Sequence, residues 1–188
     1  WAAAPLILFG IVVGSQHPSH LVTITTVEVG HGTCHIIQHG SYTMMIDGGS
    51  KSNLNIGTNT ILPTIRKLLI TSIDTLVITH SDLDHIAGVV DVLNSLRVSR
   101  VLIAKQAMEH QTEPLSVVLH TAFAMGVPVT EGFAGWDELS GDLHMSIVSP
   151  KSNEPFRSSN AASIVLMMRA YGKVVLFTGD IDEQKIIE

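Results

Sequence analysis

Short apolar runs separated by turn residues dominate the chain, and their spacing predicts a succession of brief strands and helices. The β-branched run Val22-Thr23-Ile24-Thr25-Thr26-Val27-Glu28-Val29 reads as a strand stopped by Gly30. Two further strands are expected at Cys34 to Gln38 and Tyr42 to Ile46, with Gly40 supplying the turn between them and Asp47-Gly48-Gly49-Ser50 ending the meander. A helix disturbed by Pro63 is expected over Thr58 to Leu69, then a strand over Thr75 to Ile78 and a helix over Ile86 to Leu96. Beyond these, Val101 to Ala104 and Met145 to Val148 suit strands and Leu115 to Met125 a helix. Ser163 to Arg169 and Val174 to Thr178 read as a hairpin around Tyr171-Gly172 that runs into Gly179-Asp180. Helices and strands alternate in the middle while hairpins lie at either end, which predicts a mixed α/β fold with sheet against helices.

The first residues differ from all this. WAAAPLILFGIVVG, residues 1–14, carries no charged side chain. Because a spanning helix needs roughly 20 apolar residues, this run reads as the end of a transmembrane helix, with a buried N-terminal strand as the alternative. Residues 15–20 then form a linker, residues 21–188 a single domain, and the apparent helix running to Glu188 suggests a domain truncated at its C-terminus. The 188 residues are 45% hydrophobic and 15% charged, which suits one well-buried core. A formal charge of -6 weighs against an extensive basic nucleic-acid surface without removing a local one. Cys34 is the only cysteine, so no intrachain disulfide can form; in a strand it is expected simply to be buried.

The candidate chemistry is concentrated in His80-Ser81-Asp82-Leu83-Asp84-His85, where a buried strand meets a helix. Core packing does not account for such a cluster, because unpaired buried charge is costly. His80 and Asp82 alternate along extended chain and project to one side, while Asp84 and His85 open the following helix, so the four groups can converge on metal. Imidazole and carboxylate ligands suit zinc, and a carboxylate-rich set shifts preference toward manganese or magnesium. The bland alternative is a solvated helix cap in which Asp84 caps and the histidines are incidental. His17, His20, His35, His39, His110, His120 and His144 lack ligand spacing, whereas His31 lies between glycines that let backbone approach a ligand. Lys51, Lys151 and Arg157 fall in expected loops, where a solvated role competes with contact to phosphates.

The cluster resembles the HxHxDH signature of the metallo-β-lactamase superfamily, with Asp82 in place of the second histidine. Asp47 in Met45-Ile46-Asp47-Gly48-Gly49 matches that superfamily's first motif, and Asp180 in Phe177-Thr178-Gly179-Asp180 matches its bridging aspartate. The variant is similar to that of the ComEC family of DNA-internalisation competence proteins, which often carries HxDxDH, a glycine-bracketed turn after the first strand and an Asn/Ser pair before the TGD strand. Gly30-His31-Gly32, Asn160 and Ser163 stand at those positions here. The superfamily's third-motif histidine has no obvious counterpart, and Asn160 or Ser163 stands in its place.

The resemblance implies a metallo-β-lactamase-like αββα sandwich and a metal-dependent phosphodiester hydrolase that degrades one DNA strand during uptake. It implies two divalent ions, manganese or zinc, with His80 and Asp82 on one, Asp84 and His85 on the other and Asp180 between them. Asp84 would also orient the attacking water, and ions about 3.5 to 4 Å apart would stabilise the attacking and leaving oxygens. Asp47 is expected to fix a ligand by a hydrogen bond, the alternative being a turn-forming Asp before two glycines. The implied partners are single-stranded DNA and, through the N-terminal region, a membrane; the implied location is the bacterial inner membrane, with the domain facing outside or into the periplasm. A thioester, lactone or β-lactam hydrolase on the same fold, and a degenerate domain that binds DNA or protein without catalysis, remain as other readings.

Overall fold

The computed structural model describes residues 20–181. The expected membrane-helix end at residues 1–14, the linker at 15–20 apart from His20, and the last helix toward Glu188 lie outside them. Among the described residues, no helix is long and apolar enough to cross a membrane.

Strands β1 (Val22–Thr26), β2 (His35–His39) and β3 (Tyr42–Ile46) form an antiparallel meander. A π-helical turn at Gly57–Ile61 leads into α1 (Leu62–Lys67), and β4 (Ser72–Ile73) precedes β5 (Thr75–Ile78). Then come α2 (Leu83–Ile86), α3 (Val89–Ser95), β6 (Arg97–Val98), β7 (Val101–Ala104), α4 (Lys105–Glu109) and α5 (Glu113–Ala124). The chain continues through β8 (Val129–Gly132), β9 (Asp137–Ser140), β10 (Leu143–Ser149), a 3-10 turn at Asn160–Ala162, β11 (Val165–Ala170) and β12 (Lys173–Phe177).

One sheet is six-stranded in the order β1-β2-β3-β5-β7-β8, parallel from β3 onward, and a second, antiparallel sheet runs β12-β11-β10-β9. Every residue of β5 and of β7 is buried, as expected for strands covered on both faces. The register shows how. Met45, Leu76 and Val101 align on one face, and there Met45 packs near Ile61 and Val89 beside Gly48, on the helical side. Leu102 faces the other way and, around Gly132, lies with Ile147 of the second sheet and Ile164, the residue before β11. Two sheets packed face to face, with helices outside the first, give the mixed α/β sandwich expected from the motifs.

Several boundaries differ from the sequence expectation. β1 ends at Thr26, short of the expected Val29, although Val27 N–H still donates in register to the Cys34 carbonyl (2.9 Å), and Cys34 precedes β2, buried as expected. Pro63 disturbs the helix as expected: the helical run is continuous, but the turn directly before the proline is π-helical, with Leu62 N–H bonded to the Gly57 carbonyl, and the α-helix proper begins only at Leu62. The helix expected over Ile86 to Leu96 is two helices joined at Gly88, where any side chain would collide with the Gly57 nitrogen (2.8 Å) and the Gly48 carbonyl oxygen (2.9 Å). The Tyr171-Gly172 hairpin is as read, with φ of 49° and 71° giving the twist that favours such two-residue turns.

Candidate metal centre

The parallel strand β5 carries Ile78 and Thr79 to the edge of the sheet, and the chain then turns through His80 to Asp82 into α2. This places His80 and His85 side by side, ring centroids 3.9 Å apart, both fully buried. The neighbouring backbone holds them. Thr33 N–H donates to the Asp84 carbonyl (3.0 Å) and Gly48 N–H to the His85 carbonyl (2.7 Å). Gly32 and Gly49 lie so close to Leu83, Asp84 and His85 that an added Cβ would overlap their main chain. The glycine-bracketed turn and the Asp-Gly-Gly motif therefore grip the metal-ligand turn from outside.

Asp47 sits at the centre of the hydrogen bonding, fully buried and with φ of +57°. Its Oδ1 accepts the Thr79 N–H (2.8 Å); its Oδ2 accepts the Thr79 hydroxyl (2.8 Å) and the His85 Nδ1–H (2.8 Å). Because the Thr79 hydroxyl proton is spent on Asp47, Thr79 Oγ1 must accept from His80 Nδ1–H (3.1 Å). One carboxylate and one hydroxyl thus fix both imidazoles with the proton on Nδ1 and the Nε2 lone pair facing the cavity. Thr79 was not marked by any sequence motif; its role depends on the turn bringing both rings to one hydroxyl.

Those lone pairs have a destination. His80 Nε2 is buried without a hydrogen-bond partner among the described residues, and so is Asp84 Oδ1. His85 Nε2 stands 3.3 Å from Asp180 Oδ1, and His80 Nε2 lies 3.8 Å from Asp82 Oδ2. His80, His85 and Asp180 offer ligand atoms all within 4.8 Å of one another. This nitrogen and oxygen donor set fits a divalent zinc, manganese or iron ion. Asp82 is the N-terminal flanking residue of α2 but makes no capping hydrogen bond, and Asp84 lies inside that helix. The cap reading therefore fails for both.

Asp180 is placed by the turn that precedes it. Gly179, at φ +53°, fits between Thr79 and Ser163, with 3.1 Å left to each Cβ for any added carbon. Ile164 N–H donates to the Thr79 carbonyl (2.9 Å), tying the start of β11 to the same strand end. Ser163 is fully buried and its hydroxyl has no hydrogen-bond partner among the described residues, while Asn160 contributes its carbonyl to the Ser163 N–H (3.0 Å). Neither joins the cluster formed by His80, His85 and Asp180.

Asp84 points elsewhere. Its Oδ2 accepts from Lys51 Nζ (2.9 Å), and His31 Nε2 lies 3.9 Å from the same oxygen. Burial alone would push the Asp84 carboxyl up, but the Lys51 hydrogen bond, helped by His85, outweighs it and holds the group below the usual carboxylate range. Burial and the neighbouring His85 lower His80 below the ordinary imidazole value. His85 is also lowered by burial, yet the Asp47 hydrogen bond and the charges of Asp47, Asp180 and Asp84 raise it above that value overall. In the sequence Lys51 reads as one of several loop cations; only the fold shows it beside the buried carboxylate of Asp84.

The architecture and this donor set define a metal-binding domain of the metallo-β-lactamase kind. The family described as Metallo-beta-lactamase superfamily matches residues 27–188, and the chain belongs to that superfamily. ComE operon protein 3 of Bacillus subtilis (strain 168) is 29% identical over 130 residues, 69% of this chain and 16% of that protein. The chain thus spans about one sixth of that relative, whose name agrees with the ComEC-like resemblance of the motifs. Among solved structures, a metallo-beta-lactamase from Cronobacter sakazakii (the HARLDQ motif mutant) matches with TM-score 0.57 and 15% identity, over 92% of this chain and 64% of that one. The metallo-beta-lactamase fold protein YhfI from Bacillus subtilis gives 0.53 and 11%, over 84% and 61%. CmlA, a diiron beta-hydroxylase from Streptomyces venezuelae, gives 0.50 and 20%, over 84% and 30%. At these identities the structural matches speak for the fold.

Proposed function

We propose that this domain is the metal-dependent nuclease of a DNA-uptake competence protein, acting on single-stranded DNA. The superfamily supports a metal-dependent hydrolase in general. The narrower reading rests on two observations: Asp82 replaces the second histidine beside Asp84 in the His80 to His85 run, and the chain is similar to ComE operon protein 3. A carboxylate-rich set favours a hard ion such as manganese, with zinc as the other candidate. In this reading His80, His85 and Asp180 would hold the first ion, with Asp82 beside His80, and Asp84 would offer its carboxylate to a second.

Divalent ions held there supply a polarised water and positive charge against the phosphoryl oxygens. The protein's share is orientation. Asp47 and Thr79 keep the Nε2 lone pairs of His80 and His85 turned inward, and the Gly32 and Gly49 contacts keep the ligand turn from moving. Asp84 Oδ1, buried and without a hydrogen-bond partner among the described residues, is the acceptor that orients the attacking water. The water oxygen bonds to phosphorus, the ester P–O bond breaks, and a proton from the water ends on the leaving alcohol. The same reading places the domain at the bacterial inner membrane, outside or in the periplasm, attached through the N-terminal region.

The test is degradation of an end-labelled single-stranded oligonucleotide with added manganese, comparing the chain with its Asp84→Asn variant. Manganese-dependent cleavage lost in the variant supports the nuclease. Metal binding without cleavage of DNA turns the reading to a thioester, lactone or β-lactam substrate. Binding of DNA with neither metal nor cleavage supports the non-catalytic domain.

A further inference from the structure

The loop after β3 brings a lysine to the buried carboxylate of Asp84, whose other oxygen has no hydrogen-bond partner among the described residues. Lys51 Nζ donates to Asp84 Oδ2 at 2.9 Å, with the Asp84 side chain 5% exposed and that of Lys51 49% exposed. The placement is built into the backbone. Lys51 N–H donates to the His31 carbonyl (2.8 Å), His31 N–H to Ser52 Oγ (3.1 Å) and Ser52 N–H to Ser50 Oγ (3.2 Å), so the two glycine-bearing loops are tied to each other beside Asp84. The ammonium also lies in the field of Asp82 and Asp180. The other cluster atoms, on His80, His85 and Asp180, are free of Lys51 and converge separately.

We infer that Lys51 is a tethered cation that competes with the second metal ion for Asp84, so that the two ion sites of this centre have unequal affinity. This inference rests on the metal-hydrolase reading. The charge balance supports it: one divalent ion together with the Lys51 ammonium offsets three of the four carboxylate charges of Asp47, Asp82, Asp84 and Asp180, which weakens the electrostatic drive for a second ion. A second ion that draws on Asp84 meets a carboxylate already paired with Lys51 through Oδ2, and the flexible, half-exposed lysine side chain can withdraw into solvent when the ion binds. Lys51 is therefore a positioning residue for occupancy of the centre, set apart from the groups that hold the first ion.

The experiment is a manganese titration of the metal-free chain by calorimetry, with bound metal counted by elemental analysis, on wild type, Lys51→Met and Lys51→Arg. Wild type is expected to bind one ion tightly and a second at least about tenfold more weakly. Lys51→Met, which keeps the aliphatic stem and removes the charge, is expected to tighten the second step by about tenfold or more and leave the first within about twofold. Lys51→Arg, retaining charge, is expected to keep the sites unequal. Equal sites in wild type, or a Lys51→Met isotherm that overlays wild type, overturns the inference while leaving the metal centre standing. Absence of binding in all three proteins refutes the metal centre and the inference together.

Discussion

Replacing Asp47 by Asn isolates the hydrogen-bond logic of the centre. Asparagine has the same shape and tolerates the left-handed φ of +57° found at this position, so the backbone is left undisturbed. One oxygen still accepts the Thr79 N–H, but an amide N–H₂ now stands where Oδ2 accepted from Thr79 Oγ1 and from His85 Nδ1. Both of those groups must reverse. His85 Nδ1 can then only accept, which moves its proton to Nε2, the atom facing Asp180. Losing such an orienting partner lowers metal affinity by about 10- to 100-fold, roughly 1.4 to 2.8 kcal/mol. The upper end is expected, because the reversed Thr79 hydroxyl also disturbs His80. Competition against a fluorescent chelator measures the affinity, and far-ultraviolet circular dichroism checks the fold. An Asp47→Asn protein that is folded and binds manganese within about twofold of wild type would refute the assignment of Asp47 as the group that sets the His85 tautomer.

Thr79→Val removes the relay between Asp47 and His80 and leaves a buried carboxylate oxygen short of a donor. It should destabilise the metal-free chain by about 1 to 3 kcal/mol in urea unfolding and weaken metal binding as well. Gly49→Ala forces a carbon against the Leu83 and Asp84 main chain, which cannot yield as a flexible side chain could. A loss of about 1 to 3 kcal/mol or failure to fold is expected, and an unchanged melting temperature would contradict the tight grip described. Metal binding should also release a proton. Because His85 titrates above the ordinary imidazole value, its Nε2 is protonated up to that raised value, and the ion must displace this proton. Apparent affinity should therefore weaken as pH falls through the raised His85 value, and calorimetry in buffers of different ionisation enthalpy should detect the released proton. A pH-independent affinity between about 6 and 8 would contradict this.

The elements most legible in the sequence were those buried on both faces. Thr75 to Ile78 and Val101 to Ala104 are continuous apolar runs because one side meets helices and the other meets the second sheet. The edge elements carried weaker signals. β8 reads VTEG and β9 reads DELS, with alternation diluted by exposed polar positions, so neither stood out from loop. α4, KQAME, is a single short turn whose burial comes from tertiary packing. Within the site, the residue types and spacing of His80, Asp82, Asp84 and His85 pointed to metal, whereas Asp47 and Asp180 were legible only through the resemblance of their motifs. Thr79 and Lys51 were not legible as site residues, because a threonine in a strand and a lysine in a loop acquire their roles only when three loops converge. The break at Gly88 was equally hidden: it follows from the close approach of Gly48 and Gly57, which are distant along the chain.

The most direct test of the central claim is an anomalous-scattering map from crystals of the chain grown with manganese. The account predicts a peak bonded to His80 Nε2, His85 Nε2 and Asp180, with Asp47 still on His85 Nδ1. No peak among these residues, or a peak held by other side chains while the Nε2 atoms of both histidines point away, would contradict it.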